Sequence, residues 1–266
     1  MYGAIIGDLA GSIYEYEQVK KVKPVKIDKI IEDNAFYSDD TILTVAVLDA
    51  ILNKGNYTDY LQKYIKKYAD YKPCFSPYFE HPFSPSTMNF GKNIYNNYNT
   101  GNGAMMRISP VGYLFNNEEG VILNAKLATI PSHNTNEAIY SATTIALMIY
   151  YFRCGLTKEE VYRKLNIKAV YKPFKKFNMT CQDTIGNCLY VIYNSSSFED
   201  AIRKAILMGG DTDTNAAIVG SVAEAIYGIE DELISKAEKK IPEDFVKILR
   251  RANKKVKWNA QALWYI

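Results

Sequence analysis

The sequence predicts an all-α protein on three observations. Most of the chain after residue 39 falls into segments with the length and periodicity of helices. Alternating strand patterns are nearly absent, and residues 23–31 (KPVKIDKII) are the best strand candidate, with a loop as the alternative. Glycine, proline and capping residues stand at the ends of the periodic segments. We therefore expect a single all-α domain over residues 1–266.

The predicted helices of the first half begin at residue 39. DDTILTVAVLDAIL (39–52) is apolar on more than one face, so this helix should be buried. Residues 57–70 repeat tyrosine and aliphatic side chains at three- and four-residue steps, which indicates an amphipathic surface helix. A long helix over 135–155 should end at Gly155. Thr157 and Glu160 form a capping box for the helix that follows.

The last third of the chain is also predicted to be helical. CQDTIGNCLYVIYNS and SFEDAIRKAILMGG should form a helical pair, the second ending at Gly209. TNAAIVGSVAEAIYG, IEDELISKAEKK and PEDFVKILRRANKKV follow, and Pro242 suits the first turn of the last helix.

Residues 70–103 are predicted to be irregular. They are rich in proline, aromatic residues and asparagine, and they contain His81. A loop of this length in a compact domain is often a binding lid, so we predict that 70–103 covers a substrate.

Composition and charge narrow the function classes. The chain is 48% hydrophobic and 23% charged with a net charge of +3, as in ordinary globular proteins. The six basic residues between 247 and 257 are best explained as a solvated helix face, which argues against a nucleic-acid partner. The apolar N-terminal run is interrupted by Asp8 and is too short to span a membrane. Four cysteines without a CxxC pair indicate a reduced, cytoplasmic protein.

Two acidic motifs carry the most chemical information. YSDDT (37–41) and GGDTDT (209–214) each place two carboxylates and hydroxyl groups at the start of an apolar helix. N-capping is the simplest explanation for each, but capping needs only one acceptor. Two unit charges ~4 Å apart repel by about 4 kcal/mol at an effective dielectric near 20, so convergence of the motifs requires a cation. The all-oxygen donor set suits Mg²⁺, Mn²⁺ or Ca²⁺ rather than Zn²⁺.

Two other acidic motifs fit these residues poorly. An EF-hand beginning at Asp211 needs glycine at its sixth position and glutamate at its twelfth, where this sequence has Ala216 and Val222. The DxDxT motif of haloacid-dehalogenase-like phosphatases follows a hydrophobic strand, whereas the residues before Gly209 have a helical pattern.

Five blocks of the sequence together resemble the ADP-ribosylglycohydrolases, an all-helical family of (ADP-ribosyl)hydrolases. The blocks, in the family's order, are GAIIGDLAGSIYE (3–15), YSDDT (37–41), GNGAMMRISPVG (101–112), SHNTNEAI (132–139) and GGDTDTNAAIVGSVAEAIYG (209–228). GDTDT before a Gly/Ala-rich helix, combined with GNGAxMR, is a specific signature. The resemblance implies the fold of that family, a single compact orthogonal multi-helix domain. It also implies hydrolysis of the glycosidic bond between ADP-ribose and an acceptor, which reverses ADP-ribosylation.

The resemblance also implies a two-metal site between the acidic motifs, usually with Mg²⁺, which Mn²⁺ can replace. The implied metal ligands are Ser38, Asp39, Asp40, Asp211, Asp213 and Thr214. Family members more often have threonine at the position of Ser38. The catalytic candidates are Asp39, Asp40 and Glu15, and Glu15 is similar to a mobile glutamate of one branch of the family. Without the resemblance, Glu15 would be taken for an exposed acid at a helix end.

Further positions are implied to bind ADP-ribose. Gly101, Asn102 and Gly103 match the loop that cradles ADP-ribose in the family, with an ordinary turn as the alternative. The family position that matches His133 lies beside the substrate. Arg107 could pair with the diphosphate or form a structural salt bridge.

The sequence departs from the family just before this loop. YNTGNG stands where many members have an aromatic residue followed by Ser-Tyr-Gly-Asn-Gly, so Tyr98 or Phe90 becomes a candidate for stacking on adenine.

The expected partner is an ADP-ribosylated substrate or ADP-ribose. We expect no membrane partner and no nucleic acid other than a modified substrate, and a monomer is slightly favoured. The acceptor stays open between arginine, serine, a nucleobase and a small molecule. A non-catalytic ADP-ribose-binding or structural protein of the same fold is the alternative function, against which the repelling acids argue.

Overall fold

The computed structural model describes residues 1–19, 24, 26–73, 82–94 and 96–258. These residues form helices and no strand, with isolated β-bridges between Tyr98 and His133 and between Gly101 and Thr180. The helices are α1 Tyr2–Val19, α2 Asp39–Leu52, α3 Tyr57–Lys67, α4 Pro85–Gly91, α5 Gly103–Met106, α6 Ser109–Leu114, α7 Glu118–Thr129, α8 Asn136–Arg153, α9 Lys158–Lys164, α10 Cys181–Asn194, α11 Phe198–Leu207, α12 Thr212–Tyr227, α13 Asp231–Glu238 and α14 Glu243–Asn253. The predicted all-α class is confirmed.

The predicted helix ends agree with the structure where a backbone signal is strong. Gly155 and Gly209 have φ of +90° and +79° just beyond α8 and α11, a conformation that glycine adopts easily. The capping box of Thr157 and Glu160 is formed at α9. Pro242 is the N-cap of α14 rather than part of its first turn.

The described residues of 23–31 agree with the loop alternative, and the prediction for 70–103 is corrected. In the candidate strand 23–31, the described residues form no strand; Ile27 and Ile30 bury their side chains, and the guanidinium of Arg203 donates to the Ile27 carbonyl. Residues 70–103 are not irregular throughout, because Ser84 accepts from the Thr87 amide at 3.2 Å and starts α4. His81 lies outside the described residues.

Helix α1 packs backbone to backbone against α12. Gly3, Gly7 and Gly11 lie four residues apart on the face of α1 that meets α12. A Cβ on Gly7 would lie 2.1 Å from the carbonyl oxygen of Ala216, and one on Gly11 would lie 2.3 Å from that of Thr212. The contact at Gly11 places the following turn of α1 beside the start of α12.

Replacement of Gly7 by alanine is expected to destabilise the protein by about 3 kcal/mol, since the new methyl group meets backbone rather than a movable side chain. Gly186→Ala in α10 is the matched control, because a Cβ there has no atom within 4 Å. The control should gain about 0.5–1 kcal/mol from the higher helix propensity of alanine. Urea unfolding measures both; equal stability of the two variants would contradict this packing.

The remaining helices enclose a core to which α2 and α8 contribute most of their residues. In α2 nearly every side chain is buried, as its sequence predicts. Cys154, Cys181 and Cys188 are buried free thiols. Within the described residues, none of the helices has both the length and the apolar character needed to cross a membrane.

Candidate functional site

The two acidic motifs meet at the starts of α2 and α12. The Thr214 hydroxyl donates to Oδ2 of Asp40 at 3.1 Å, a contact between residues 174 positions apart in the chain. Ser38 is the N-cap residue of α2 and Asp211 occupies the N-cap position of α12. The positive ends of two helix dipoles therefore share one region with the acidic side chains.

Helix capping does not account for the paired acids. At α2 the cap is Ser38, whose Oγ accepts from the Asp40 amide at 3.2 Å. At α12 the side chain of Asp211 makes no capping hydrogen bond and instead accepts from Nδ2 of Asn102 at 2.6 Å. Oδ1 of Asp213 accepts from the adjacent Thr214 amide at 2.8 Å. Helix capping therefore accounts for Ser38, but it does not account for most of the carboxylate oxygens of the two motifs.

Glu15 joins this cluster from α1. One carboxylate oxygen from each of Glu15, Asp211 and Asp213 lies within 4.8 Å of the others. Glu15 is half-buried rather than exposed, because the glycine-mediated packing of α1 on α12 carries it to the site. Oδ1 of Asp8 and Oδ1 of Asp40 are buried without a hydrogen-bond partner.

Burial and mutual repulsion raise the pKa of every carboxyl group in the cluster. Burial, followed by the charge of Asp213, raises the pKa of Asp8 to about 7 and that of Asp39 to about 8. The pKa values of Glu15, Asp40 and Asp213 are raised well above their ordinary values, and that of Asp211 is raised, by burial first and neighbouring acids next. The cluster can be fully ionised at neutral pH only when positive charge is added.

These residues fit a divalent cation. The donors are carboxylate and hydroxyl oxygens, the ligands that hard cations such as Mg²⁺ prefer. Oδ1 of Asp40 is buried without a hydrogen-bond partner and is free to accept a further interaction. A dication would supply the charge that the protein chain does not.

A cavity of about 540 Å³ opens next to the cluster. Both acidic motifs and Glu15 line one part of it. The rest of the wall includes Phe36, Tyr37, Tyr71, Phe83, Ser86, Asn99, Gly101, Asn102, Gly103, Arg107, His133, Phe177, Met179 and Thr180. Described parts of the 70–103 segment thus border the cavity, which has the size of a small-molecule site.

The glycine loop is attached to the acidic cluster by side-chain amides. Nδ2 of Asn102 donates to Oδ2 of Asp211 at 2.6 Å and to the Asn178 carbonyl at 3.3 Å. Asn178, fully buried, accepts from the Asp211 amide at 2.8 Å and donates to Oδ1 of Asn215 at 2.9 Å. A displacement of this loop would therefore disturb Asp211 directly.

His133 lies in a buried hydrogen-bond chain with Arg107 and Ser132. Nη2 of Arg107 donates to the Ser132 hydroxyl at 2.7 Å, and that hydroxyl lies 2.8 Å from Nδ1 of His133. In the tautomer in which the serine hydroxyl donates to Nδ1, the imidazole proton is on Nε2. Burial, then the charge of Arg107, lowers the pKa of His133 well below 6.5. Nε2 adjoins the glycine loop, 3.6 Å from the position of a Cβ on Gly103.

Arg107 does not form the structural salt bridge that was one of its two alternatives. Among the described residues it has no ion pair; its guanidinium donates to Ser132 and to the Ala128 carbonyl, and Nε is buried without a partner. Burial lowers the pKa of Arg107 to about 10, which leaves it charged at neutral pH. It is a buried cation in the cavity wall.

The family model for ADP-ribosylglycohydrolase matches residues 1–263, nearly the whole chain. The chain belongs to the ADP-ribosylglycohydrolase family. The members of this family hydrolyse ADP-ribosyl glycosidic bonds, so the resemblance seen in the five sequence blocks is confirmed.

Individual relatives are distant. The chain is 22% identical to the ADP-ribosylarginine hydrolase Tri1 of Pseudomonas putida (strain GB-1), over 86% of this chain and 70% of that protein. It is 26% identical to the ADP-ribosyl-[dinitrogen reductase] glycohydrolase of Rhodospirillum rubrum, where the match spans 52% of this chain and 49% of that protein. The solved structure of an ADP-ribosylglycohydrolase-related protein complex has a TM-score of 0.68 over 95% of this chain and 91% of that one at 18% identity, a likeness of fold.

The structure of this ADP-ribosylglycohydrolase also shows where sequence reasoning missed the site. Neither Tyr98 nor Phe90 lines the cavity: Tyr98 is 75% exposed, and Phe90 is buried elsewhere. Asp8 was noted only as a break in an apolar run, although a lone acid in a buried helix is itself a signal. Asn178 and Ser132 carry no local signal, because their roles depend on contacts with distant residues.

Proposed function

We propose that this ADP-ribosylglycohydrolase is a magnesium-dependent hydrolase that removes ADP-ribose from a modified acceptor, with two Mg²⁺ ions bound between the acidic motifs. The observation that carries the proposal is the convergence of the motifs, marked by the contact between Thr214 and Asp40, on one wall of a cavity of about 540 Å³. Four motif aspartates and Glu15 gather there. Their raised pKa values support a demand for added positive charge.

The side chains that would hold the cations are those of both motifs: Ser38, Asp39, Asp40, Asp211, Asp213 and Thr214. Glu15 lies within reach of Asp211 and Asp213 and can approach the same ions. When bound, Mg²⁺ supplies Lewis acidity and lowers the pKa of a bound water. Mn²⁺, with the same oxygen preference, is expected to replace it.

The cavity carboxylates supply the proton transfers of the hydrolysis. The oxygen of a water molecule forms a bond to C1″ of the distal ribose while the bond from C1″ to the acceptor breaks. Asp39, Asp40 or Glu15 accepts the proton that the water loses, and that carboxylate returns the proton to the acceptor as it leaves. The transition state has oxocarbenium character, as in other glycoside cleavages.

The opposite part of the cavity suits ADP-ribose. The backbone of Gly101, Asn102 and Gly103 allows close approach of the ligand, and Nε2 of His133 offers a hydrogen bond beside it. Arg107 supplies a positive charge in the cavity wall for the diphosphate. Described residues of the 70–103 segment, such as Phe83, Ser86 and Asn99, form part of the cavity wall and would cover a bound ligand.

A panel of ADP-ribosylated arginine, serine and nucleic-acid substrates, each incubated with the protein and Mg²⁺, tests this function. We expect release of ADP-ribose from at least one substrate and loss of that release in EDTA. Absence of release from the whole panel, with binding of ADP-ribose retained in calorimetry, would support the non-catalytic alternative instead.

A further inference from the structure

Asp8 of α1 caps the start of α2. Its side chain is fully buried, and its Oδ2 accepts from the backbone amides of Ser38 at 2.9 Å and Thr41 at 3.0 Å. These are the N-cap residue and the third residue of α2. In a capping box the side chains of those same two positions satisfy the two amides. Here one carboxylate from another helix satisfies both.

The arrangement leaves the acids of α2 free. Ser38 Oγ takes the Asp40 amide, and Asp8 takes the amides of Ser38 and Thr41. The local side chain that caps this helix end is that of Ser38 and not that of Asp39 or Asp40. Both carboxylates can therefore turn towards α12, where Asp40 already accepts from Thr214.

We propose that Asp8 is a positioning residue of the metal site: it holds the first turn of α2 so that Ser38, Asp39 and Asp40 face α12. The inference rests on the proposed function, because it concerns the same cations. It assigns Asp8 a role through its two hydrogen bonds to α2 and not as a ligand. The close packing of Gly7 and Gly11 against the backbone of α12 holds this part of α1, and therefore Asp8, in a fixed position relative to α12.

The test compares Asp8→Ala and Asp8→Asn in the full-length protein, with Mn²⁺ alone as the probe in calorimetry. Asparagine keeps an oxygen that can accept from both amides, whereas alanine keeps none. Alanine should lower Mn²⁺ affinity by about 10- to 100-fold, as loss of an outer-shell partner does, and asparagine by no more than about threefold. Hydrogen exchange of the Ser38 and Thr41 amides should accelerate in the alanine variant only.

Asp49→Ala is the matched control. Asp49 lies in the last turns of the same helix, where it accepts from the Tyr64 hydroxyl at 3.0 Å and from Nδ2 of Asn53 at 2.7 Å. Its loss should lower the melting temperature and leave Mn²⁺ affinity unchanged. If Asp8→Ala does not fold, Asp8→Ser takes its place, since a serine side chain is too short to reach both amides.

Three results would overturn the inference: wild-type Mn²⁺ affinity in folded Asp8→Ala, an Asp8→Asn variant as weak as the alanine variant, or an equal loss in Asp49→Ala. Failure of the proposed function looks different. In that case the wild-type protein itself binds no Mn²⁺, and the inference falls together with the metal site.

Discussion

Asp213→Asn is expected to abolish metal binding and hydrolysis while making the metal-free protein more stable near neutral pH. After burial, the charge of Asp213 contributes most to the raised pKa values of Asp8, Asp39 and Asp40. Asparagine preserves the shape and the oxygen that accepts from the Thr214 amide, but removes the repelling charge. If the cluster served only to stabilise the fold, the substitution would raise stability without a loss of function. If the cluster binds cations, the substitution abolishes cation binding.

The expected decrease in the hydrolysis rate is about a thousandfold, because metal-based stabilisation of a transition state is worth several kcal/mol and each 1.36 kcal/mol is a factor of ten. Calorimetry with Mn²⁺, a thermal melt in EDTA and the ADP-ribose release assay measure the three effects. Asp200→Asn is the control, since Asp200 pairs with Lys204 on the surface. Full turnover in Asp213→Asn would remove the cluster from the mechanism.

The metal-free protein is expected to lose thermal stability as the pH rises from about 4 to about 8. Unfolded aspartates titrate near 3.8, whereas the folded chain raises the pKa of Asp8 to about 7 and that of Asp39 to about 8. In this window the folded state holds protons that the unfolded state has released, so raising the pH favours unfolding. The decrease should be on the order of 5–10 °C for a chain of this size.

Mg²⁺ should reverse that loss, with a larger increase in melting temperature at the upper end of the pH range. A cation binds the ionised carboxylates and stabilises the folded state in proportion to its affinity. Calorimetric scans at several pH values, with Mg²⁺ and with EDTA, give the comparison, and Asp213→Asn should show a flatter pH profile. A metal-free protein that becomes steadily more stable from about pH 4 to about pH 8 would contradict a cluster of carboxylates without a neutralising charge.

The part of the fold that sequence predicts well is the part encoded locally. Helices α2 and α8 are predictable from the length and apolar content of their segments. Thr157 marks the start of α9 because its side chain caps the helix, and Gly155 marks the end of α8 because glycine readily adopts a positive φ. For segment 23–31 the sequence pattern leaves a strand and a loop open, and its described residues form no strand although Ile27 and Ile30 are buried. Burial of an apolar residue does not depend on regular secondary structure, so the pattern alone could not decide.

The site divides in the same way. The acidic motifs can be recognised from sequence because neighbouring carboxylates repel each other wherever they lie in the fold. That Glu15 would be half-buried beside Asp211 depends on how closely α1 packs against α12, a tertiary property. Sequence spacing likewise does not predict the hydrogen-bond chain from Arg107 through Ser132 to His133. Nor does it predict the hydrogen bonds of Asp8 to the start of α2.

The most direct measurement is anomalous diffraction from crystals of the wild-type protein grown in Mn²⁺ at about pH 8, where the cluster can ionise. The account predicts two strong anomalous peaks coordinated by oxygens of residues 38–40 and 211–214, separated by about 3.5–4 Å. Absence of anomalous density between these segments, or manganese bound only elsewhere on the surface, would contradict it.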